Sequence, residues 1–504
     1  MDTNRWYWYE GSKMGTTGET PLRYAIIGAG MSGIMAGAKL LKRGDSDFVV
    51  FEKGAEIGGT WRDNRYPGLT CDTPSHTYSY SFALNPEWSA YYATGPEIHA
   101  YFKRVADESG VMPHVRFNNE VRACVFDDAT AKWHLTLSDG STYDADIVIA
   151  ASGVLHNPKV PELPGLESFA GKAFHSARWD DDALLDGARV GVIGCGSTGI
   201  QLVNALSSRA SRLVHFQRSP QWIMPVVQFE YTAEQRAAFA ANPQLIEDIR
   251  TNAEYWDAVY RFTEGVTDFT SPQMQEIEDI CRRNLEDNVH DPVLCEKLRP
   301  NYHAACKRLI YSWEYYECVQ RPGVFVETGG IERIEPAGVR MNDGTLHELD
   351  TLILATGFDA SRFIRPAVVS GRDGRLLDDF WEERPRAHYA VSMPGFPNLF
   401  MLNGPGAPVG NFPLIDIAER QWDYIEQVIA PLRKGEGRTV EPTAEAFDAY
   451  EERRIAAARK TIFGSGCTSW YLDKTGIPAT WPWGYHDFAK AMESPVTSEF
   501  VVSA

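Results

Sequence analysis

The feature that most constrains this chain is Gly28-Ala29-Gly30-Met31-Ser32-Gly33, set between two very different patterns. Before it stands a short apolar run, Tyr24-Ala25-Ile26-Ile27. After it comes the helical pattern IMAGAKLLKRG. Strand, glycine turn and helix in that order build a phosphate cradle. The glycines let the backbone approach closely, and the helix N-terminus presents free N–H groups and a partial positive charge. The pattern recurs at Gly194-Cys195-Gly196-Ser197-Thr198-Gly199, after the strand-like Val190 to Ile193. Two such units predict an α/β fold with two Rossmann-like dinucleotide-binding domains.

The residues ending the next strands differ. Glu52 follows Phe48 to Phe51, and a carboxylate there accepts from ribose hydroxyls and rejects a 2′-phosphate, so the first site suits FAD or NAD. Arg218 follows Val214 to Gln217, where a guanidinium can clamp a 2′-phosphate. One acidic and one basic selector predict FAD plus NADPH. Disulfide reductases also carry two such sites but need a cysteine pair soon after the first, where Cys71 stands alone.

At 504 residues the chain has room for about three domains. A first FAD segment is expected over 1–158, closed by the Pro-rich hinge from Asn157 to Gly165. The NADP unit is expected over 159–227 and 306–387, and the second FAD segment over 388–504. Residues 228–305 read as a helical insertion opened by the capping box Thr232 to Gln235. Residues 1–20 lack periodicity and read as a loosely attached arm.

Net charge −19 disfavours nucleic acid and anionic membrane surfaces, and no apolar run is long enough to span a bilayer. The eight cysteines form no CxxC pair, so reduced thiols in a cytoplasmic protein are expected, without zinc or any other metal and without disulfides.

More specific motifs lie between and beyond the glycine turns. Phe169-Ala-Gly171-Lys-Ala-Phe-His175-Ser-Ala-Arg-Trp179-Asp180 resembles the FxGxxxHxxxW(P/D) signature of type I Baeyer–Villiger monooxygenases. Similar to the same family are Gly59-Thr60-Trp61 running on to Asp72, Ser75 to Tyr78, Gln217 to Pro220, Lys307-Arg308 before Tyr315-Tyr316, and Ala355 to Phe358.

The resemblance implies an NADPH- and O₂-dependent flavin enzyme that inserts oxygen beside a ketone carbonyl, through a peroxyflavin and a tetrahedral adduct, to give an ester or lactone. It implies that Gly28, Gly30, Ser32, Gly33, Glu52, Gly59, Thr60, Trp61, Asp72, Tyr78 and Val121 serve FAD. Gly194, Gly196, Ser197, Thr198, Gly199, Arg218 and Lys307 would serve NADPH. Arg308 would be the catalytic arginine, with Asp72 as its modulator, and His175 and Trp179 would serve the link between domains.

Partners are then a small ketone and O₂. Oxygenation at nitrogen or sulfur is the nearest alternative, disfavoured by Trp179-Asp180; a non-oxygenating NADPH oxidase or redox sensor is the second. The family often carries Trp-Tyr followed by Pro-Gly-Lys near its C-terminus. Here Trp470-Tyr471 is followed by Ile477-Pro478-Ala479-Thr480.

Overall fold

The computed structural model describes residues 18–408 and 412–504. Most of the expected N-terminal arm lies outside the described residues.

The first unit is a five-stranded parallel sheet in the order Leu399–Met401, Ile147–Ala150, Tyr24–Ile27, Phe48–Phe51, Val115–Arg116. Tyr24 pairs with Phe48 on one side and Ile147 on the other. Both faces of this sheet are covered, which is why its central strands are continuous apolar runs rather than alternating ones. Tyr24, Ile26, Phe48 and Val50 pack against helices through Ile34, Met35, Phe102 and Ile425. Ala25, Phe51 and Val148 face Phe126, Trp133 and Leu135 of a smaller sheet.

The second unit is also a five-stranded parallel sheet: Val324–Glu327, Arg212–Phe216, Arg189–Ile193, Thr351–Leu354, Lys172–His175. Val190, Val192 and Ile353 pack on the helix Ser197–Leu206, while Val214 and Leu354 meet Ile334 and Val339 of a three-stranded antiparallel sheet. Val368–Ser370, in the stretch expected with this unit, instead pairs with Ala123 to Val125 beside the first sheet.

Residues 233–297 hold five helices. The first, Ala233–Ala241, starts at the expected capping box on Thr232 and Gln235. This stretch bridges the two units. Phe239 and Ile246 bury in the first core, Leu285 and Val289 in the second. Among the described residues no helix is long and apolar enough to cross a membrane, and no cluster of side chains could hold a metal.

One expectation is overturned. Cys306 and Cys467 form a disulfide, with Cα atoms 6.2 Å apart. The other six cysteines are free thiols. The partners lie 161 residues apart in sequence, so only the tertiary packing of the C-terminal stretch brings them together.

Candidate active site

Both glycine turns form as strand–turn–helix cradles. Gly28 has φ +103°, and a Cβ there would lie 2.7 Å from the Ala151 carbonyl oxygen. A Cβ on Gly33 would lie 1.9 Å from the Gly28 oxygen, so only glycine lets the helix Met31–Arg43 sit this close to the turn. Gly194 (φ +113°) and Gly199 repeat the arrangement, again at 1.9 Å. The helices Met31–Arg43 and Ser197–Leu206 begin at Gly30 and Gly196, neither of which offers a side-chain cap. Their first N–H groups are left for an anionic ligand.

Glu52 is 4% exposed. Its carboxylate accepts from the N–H groups of Ala29 (2.9 Å) and Gly54 (2.7 Å) and from Arg62 (2.7 Å). That fixes a negative charge at the end of the strand Phe48–Phe51. In the second unit the strand ends instead at Arg218, exposed, with no carboxylate partner among the described residues. Lys307 Nζ lies over the Tyr302 ring at 4.2 Å and donates to Ser219 Oγ at 2.6 Å. Burial, then the neighbouring Arg218 charge, lowers the Lys307 pKa. Two cations facing one cavity, neither in an ion pair among the described residues, form an anion site.

The cradles open into one cavity of about 1340 Å³. Gly28, Gly30, Ser32, Glu52, Gly59, Thr60, Trp61, Asp72, Tyr78, Val121, Gly194, Gly196, Ser197, Thr198, Arg218, Lys307 and Arg308 all line it. Gly33 and Gly199, expected at the cofactors, do not reach it; they lie behind their turns as helix-packing residues.

At the junction Arg308 donates to Asp72 Oδ2 at 2.5 Å, across 236 residues of sequence. The Asp72 charge raises the guanidinium pKa, while its side chain stays 33% exposed. Asp72 is held from both units. Cys71 N–H donates to the Ala93 carbonyl at 3.0 Å. The Tyr66 hydroxyl donates to Gln201 Oε1 at 2.8 Å, and Gln201 returns a hydrogen bond to the Thr70 carbonyl at 3.0 Å. Cys71 is buried, its thiol pushed up to about 12 by desolvation, in keeping with a packing role.

His175 Nε2 donates to the Gly357 carbonyl at 3.0 Å and its Nδ1 accepts from Ala177 N–H at 3.1 Å, at the point where the chain leaves the second sheet. Trp179 sits edge-on to Phe174, 5.2 Å away.

Two participants had no sequence signal, and a third, Tyr471, was marked only by the family's Trp-Tyr segment. His215 is fully buried and donates through Nε2 to the Gly194 carbonyl at 2.9 Å, bracing the second turn. Asn403 donates to Ser32 Oγ at 3.2 Å, and its Oδ1 is buried at the cavity without a partner. Tyr471 packs in one buried cluster with Cys306 and Leu309, which flank Lys307 and Arg308 in sequence. Burial pushes the pKa of its hydroxyl up, and the nearby Arg308 charge acts to lower it against that push.

Fold and site together define an oxidoreductase with two nucleotide cradles sharing one cavity, and an Arg–Asp pair between them. Residues 22–235 match the family described as flavin-binding monooxygenase-like. An uncharacterised monooxygenase of Mycobacterium tuberculosis is 43% identical, covering 92% of this chain and 93% of that protein. A Baeyer–Villiger monooxygenase of Streptomyces coelicolor is 37% identical, covering 95% and 92%. The structure of cyclohexanone monooxygenase from Rhodococcus sp. Phi1 bound to NADP⁺ superposes with a TM-score of 0.85 at 31% identity, covering 96% of this chain and 99% of that one. The chain belongs to the flavin-binding monooxygenase family, among its Baeyer–Villiger members.

Proposed function

We propose that the protein oxidises a small apolar ketone to an ester or lactone with NADPH and O₂, with Arg308 as the catalytic cation. The observation that carries this reading is the Arg308–Asp72 pair at the meeting point of the two cradles.

The residues present fit both cofactors. Uncapped helix N-termini, turns with no room for a side chain and the unpartnered Asn403 Oδ1 all face the cavity that would take FAD and NADPH. Glu52 would accept the FAD ribose hydroxyls. Arg218 and Lys307 would hold the NADPH 2′-phosphate. When bound, FAD supplies the redox chemistry that passes electrons from NADPH to oxygen.

The chain's own task is electrostatic. Arg308 keeps a permanent positive charge where anionic oxygen develops, and a preorganised charge there lowers the barrier more than mobile water could. Asp72 aims the guanidinium and, by lying on one side of it, leaves the other N–H groups for the reacting oxygen. Tyr255, Val259 and Phe262 of the helix Ala253–Thr267, with Phe412 and Trp470, make an apolar wall suited to a hydrocarbon ketone and to excluding water.

We propose a division into an FAD unit, made of residues up to about 158 and from the return near 368, an NADP unit between them and a helical insertion near 228–305. Six of the eight cysteines are free, which supports a cytoplasmic location, where a disulfide such as Cys306–Cys467 belongs to the transient, redox-responsive kind. The test is NADPH consumption over cyclic, linear, aromatic and steroid ketones, with products identified by mass. Ester or lactone is the expected product; N- or S-oxide from amines and sulfides with no ester from any ketone would overturn the reading.

A further inference from the structure

The disulfide Cys306–Cys467 joins two segments that both reach the reaction site. Cys306 stands immediately before Lys307 and Arg308. Cys467 stands just before Thr468, Ser469 and Trp470, which line the same cavity. Tyr471 follows, buried in one apolar cluster with Cys306, Leu309, Ile462 and Phe463. Its ring stacks on Trp470 at 4.1 Å and tilts against Phe463 at 4.3 Å. Beyond it the stretch is pinned by Ala479 N–H to the Tyr471 carbonyl at 2.7 Å, with Leu472 bridged to Pro478. The cross-link thus ties the segment carrying Arg308, just before the strand Ile310–Ser312, to the stretch whose Tyr471 packs on Cys306 and Leu309.

The two sulfurs are unequally placed. Cys306 is fully buried, and Ser465 Oγ donates to its Sγ at 3.2 Å. Cys467 is half-buried on a stretch with exposed neighbours on either side. An oxidant or an external thiol reaches Cys467 first, and the Ser465 hydroxyl favours Cys306 as the leaving thiolate.

We propose that Cys306–Cys467 is a reversible redox site whose oxidised form positions Arg308 through Tyr471. The inference rests on the oxygenase reading above. The oxidant is hydrogen peroxide, formed when oxygen takes both electrons of NADPH without transfer to a ketone. The Cys467 thiolate attacks one peroxide oxygen, the O–O bond breaks, and sulfenic acid and water result. The Cys306 thiolate then displaces the hydroxyl, which leaves as a second water once protonated. Overall two thiols lose two electrons and two protons, and one peroxide becomes two waters. A dithiol reductant reverses the change by attack at Cys467. A pair of this kind lets wasted oxygen tighten the site that wasted it.

The test uses the FAD-loaded full-length enzyme, purified in air. Thiol titration after denaturation without reductant should give six thiols, rising to all eight after dithiothreitol, and peptide mapping should find Cys306 joined to Cys467. After reduction, trypsin should cut after the exposed Lys474 at least several-fold faster. The share of NADPH ending as hydrogen peroxide rather than ester should rise several-fold, while FAD reduction by NADPH changes less than twofold. Peroxide treatment should restore the reduced wild type but not Cys467→Ser. Tyr471→Phe, which keeps the ring and loses the hydroxyl, should leak peroxide with the disulfide intact. Eight thiols in the air-purified enzyme, or equal coupling in both redox forms, would overturn the proposal. Absence of ester in both forms would instead count against the oxygenase reading, and the thiol count and trypsin rate would still decide the disulfide.

Discussion

At the scale of single residues, the site divides into charges that grip and a charge that reacts. Arg308→Ala removes the guanidinium that Asp72 holds, while the FAD cradle is built from a distant part of the chain. We expect a yellow protein whose ester formation falls at least ~10²–10³-fold, the usual cost of losing one preorganised charge at a developing oxyanion. Stopped-flow flavin absorbance with product analysis checks this; near wild-type ester formation would refute the assignment. Arg218→Ala should weaken NADPH by about 10–100-fold, equivalent to ~1.5–3 kcal/mol for a charge-assisted hydrogen bond, and leave NADH nearly unchanged. Steady-state KM values for both nucleotides distinguish a phosphate grip from a structural role, which would cost both equally. Lys307 adds a pH dependence. Its lowered pKa means that the cation is lost at a lower pH than for an exposed lysine, so the KM for NADPH should begin to climb below the usual ~10.4. The Lys307→Arg variant should move that rise to higher pH.

At the scale of elements, the glycine turns were legible because they are local. The strand Tyr24–Ile27, the turn and the helix after it follow one another in sequence, and apolar runs mark strands buried on both faces. The capping box at Thr232 was legible for the same reason. The Arg308–Asp72 pair could be expected only through family resemblance, since neither residue has a local pattern that names its partner. Nothing in the sequence marked His215 or Asn403, and Tyr471 was marked only by the family's Trp-Tyr segment, with no role attached; each acts through a contact made by another element. The disulfide failed the same way: spacing rules find CxxC pairs, not partners brought together by folding. Gly33 and Gly199 belong to the motif but serve packing. That distinction yields a test within one turn. Gly199→Ala would set a Cβ 1.9 Å from the Gly194 oxygen, so the helix must shift, with a lower Tm and lost NADPH binding. Gly196→Ala has nothing within 4 Å and an ordinary φ of −71°. It should melt like the wild type yet bind NADPH more weakly, because its methyl faces the cavity. Thermal melts beside NADPH titrations separate the two.

At the scale of the whole molecule, burial of neutral histidines sets an acid limit. His76 and His215 are at most 1% exposed, and desolvation lowers both pKa values to about 4. The unfolded chain protonates them near 6.5 while the fold keeps them neutral. Their contribution is therefore complete above that pH and is lost as pH falls toward 4, at up to about 1.4 kcal/mol per pH unit for each. The Tm should drop between pH 6.5 and 4, and His215→Gln should flatten part of that drop. A different consequence follows from the strand Leu399–Met401, which lies beside Ile147–Ala150 in the first sheet. On the ribosome that edge stays open while roughly 250 further residues emerge, tens of seconds at about 5–20 residues per second. The nascent first unit therefore presents an unfinished parallel sheet to the cell throughout, while the second unit, whose last strand ends at Leu354, can close before it. Newly made chains should accordingly depend on holding chaperones until the C-terminal strand arrives, and truncation before Leu399 should leave the nucleotide-binding half that begins first as the half that never finishes.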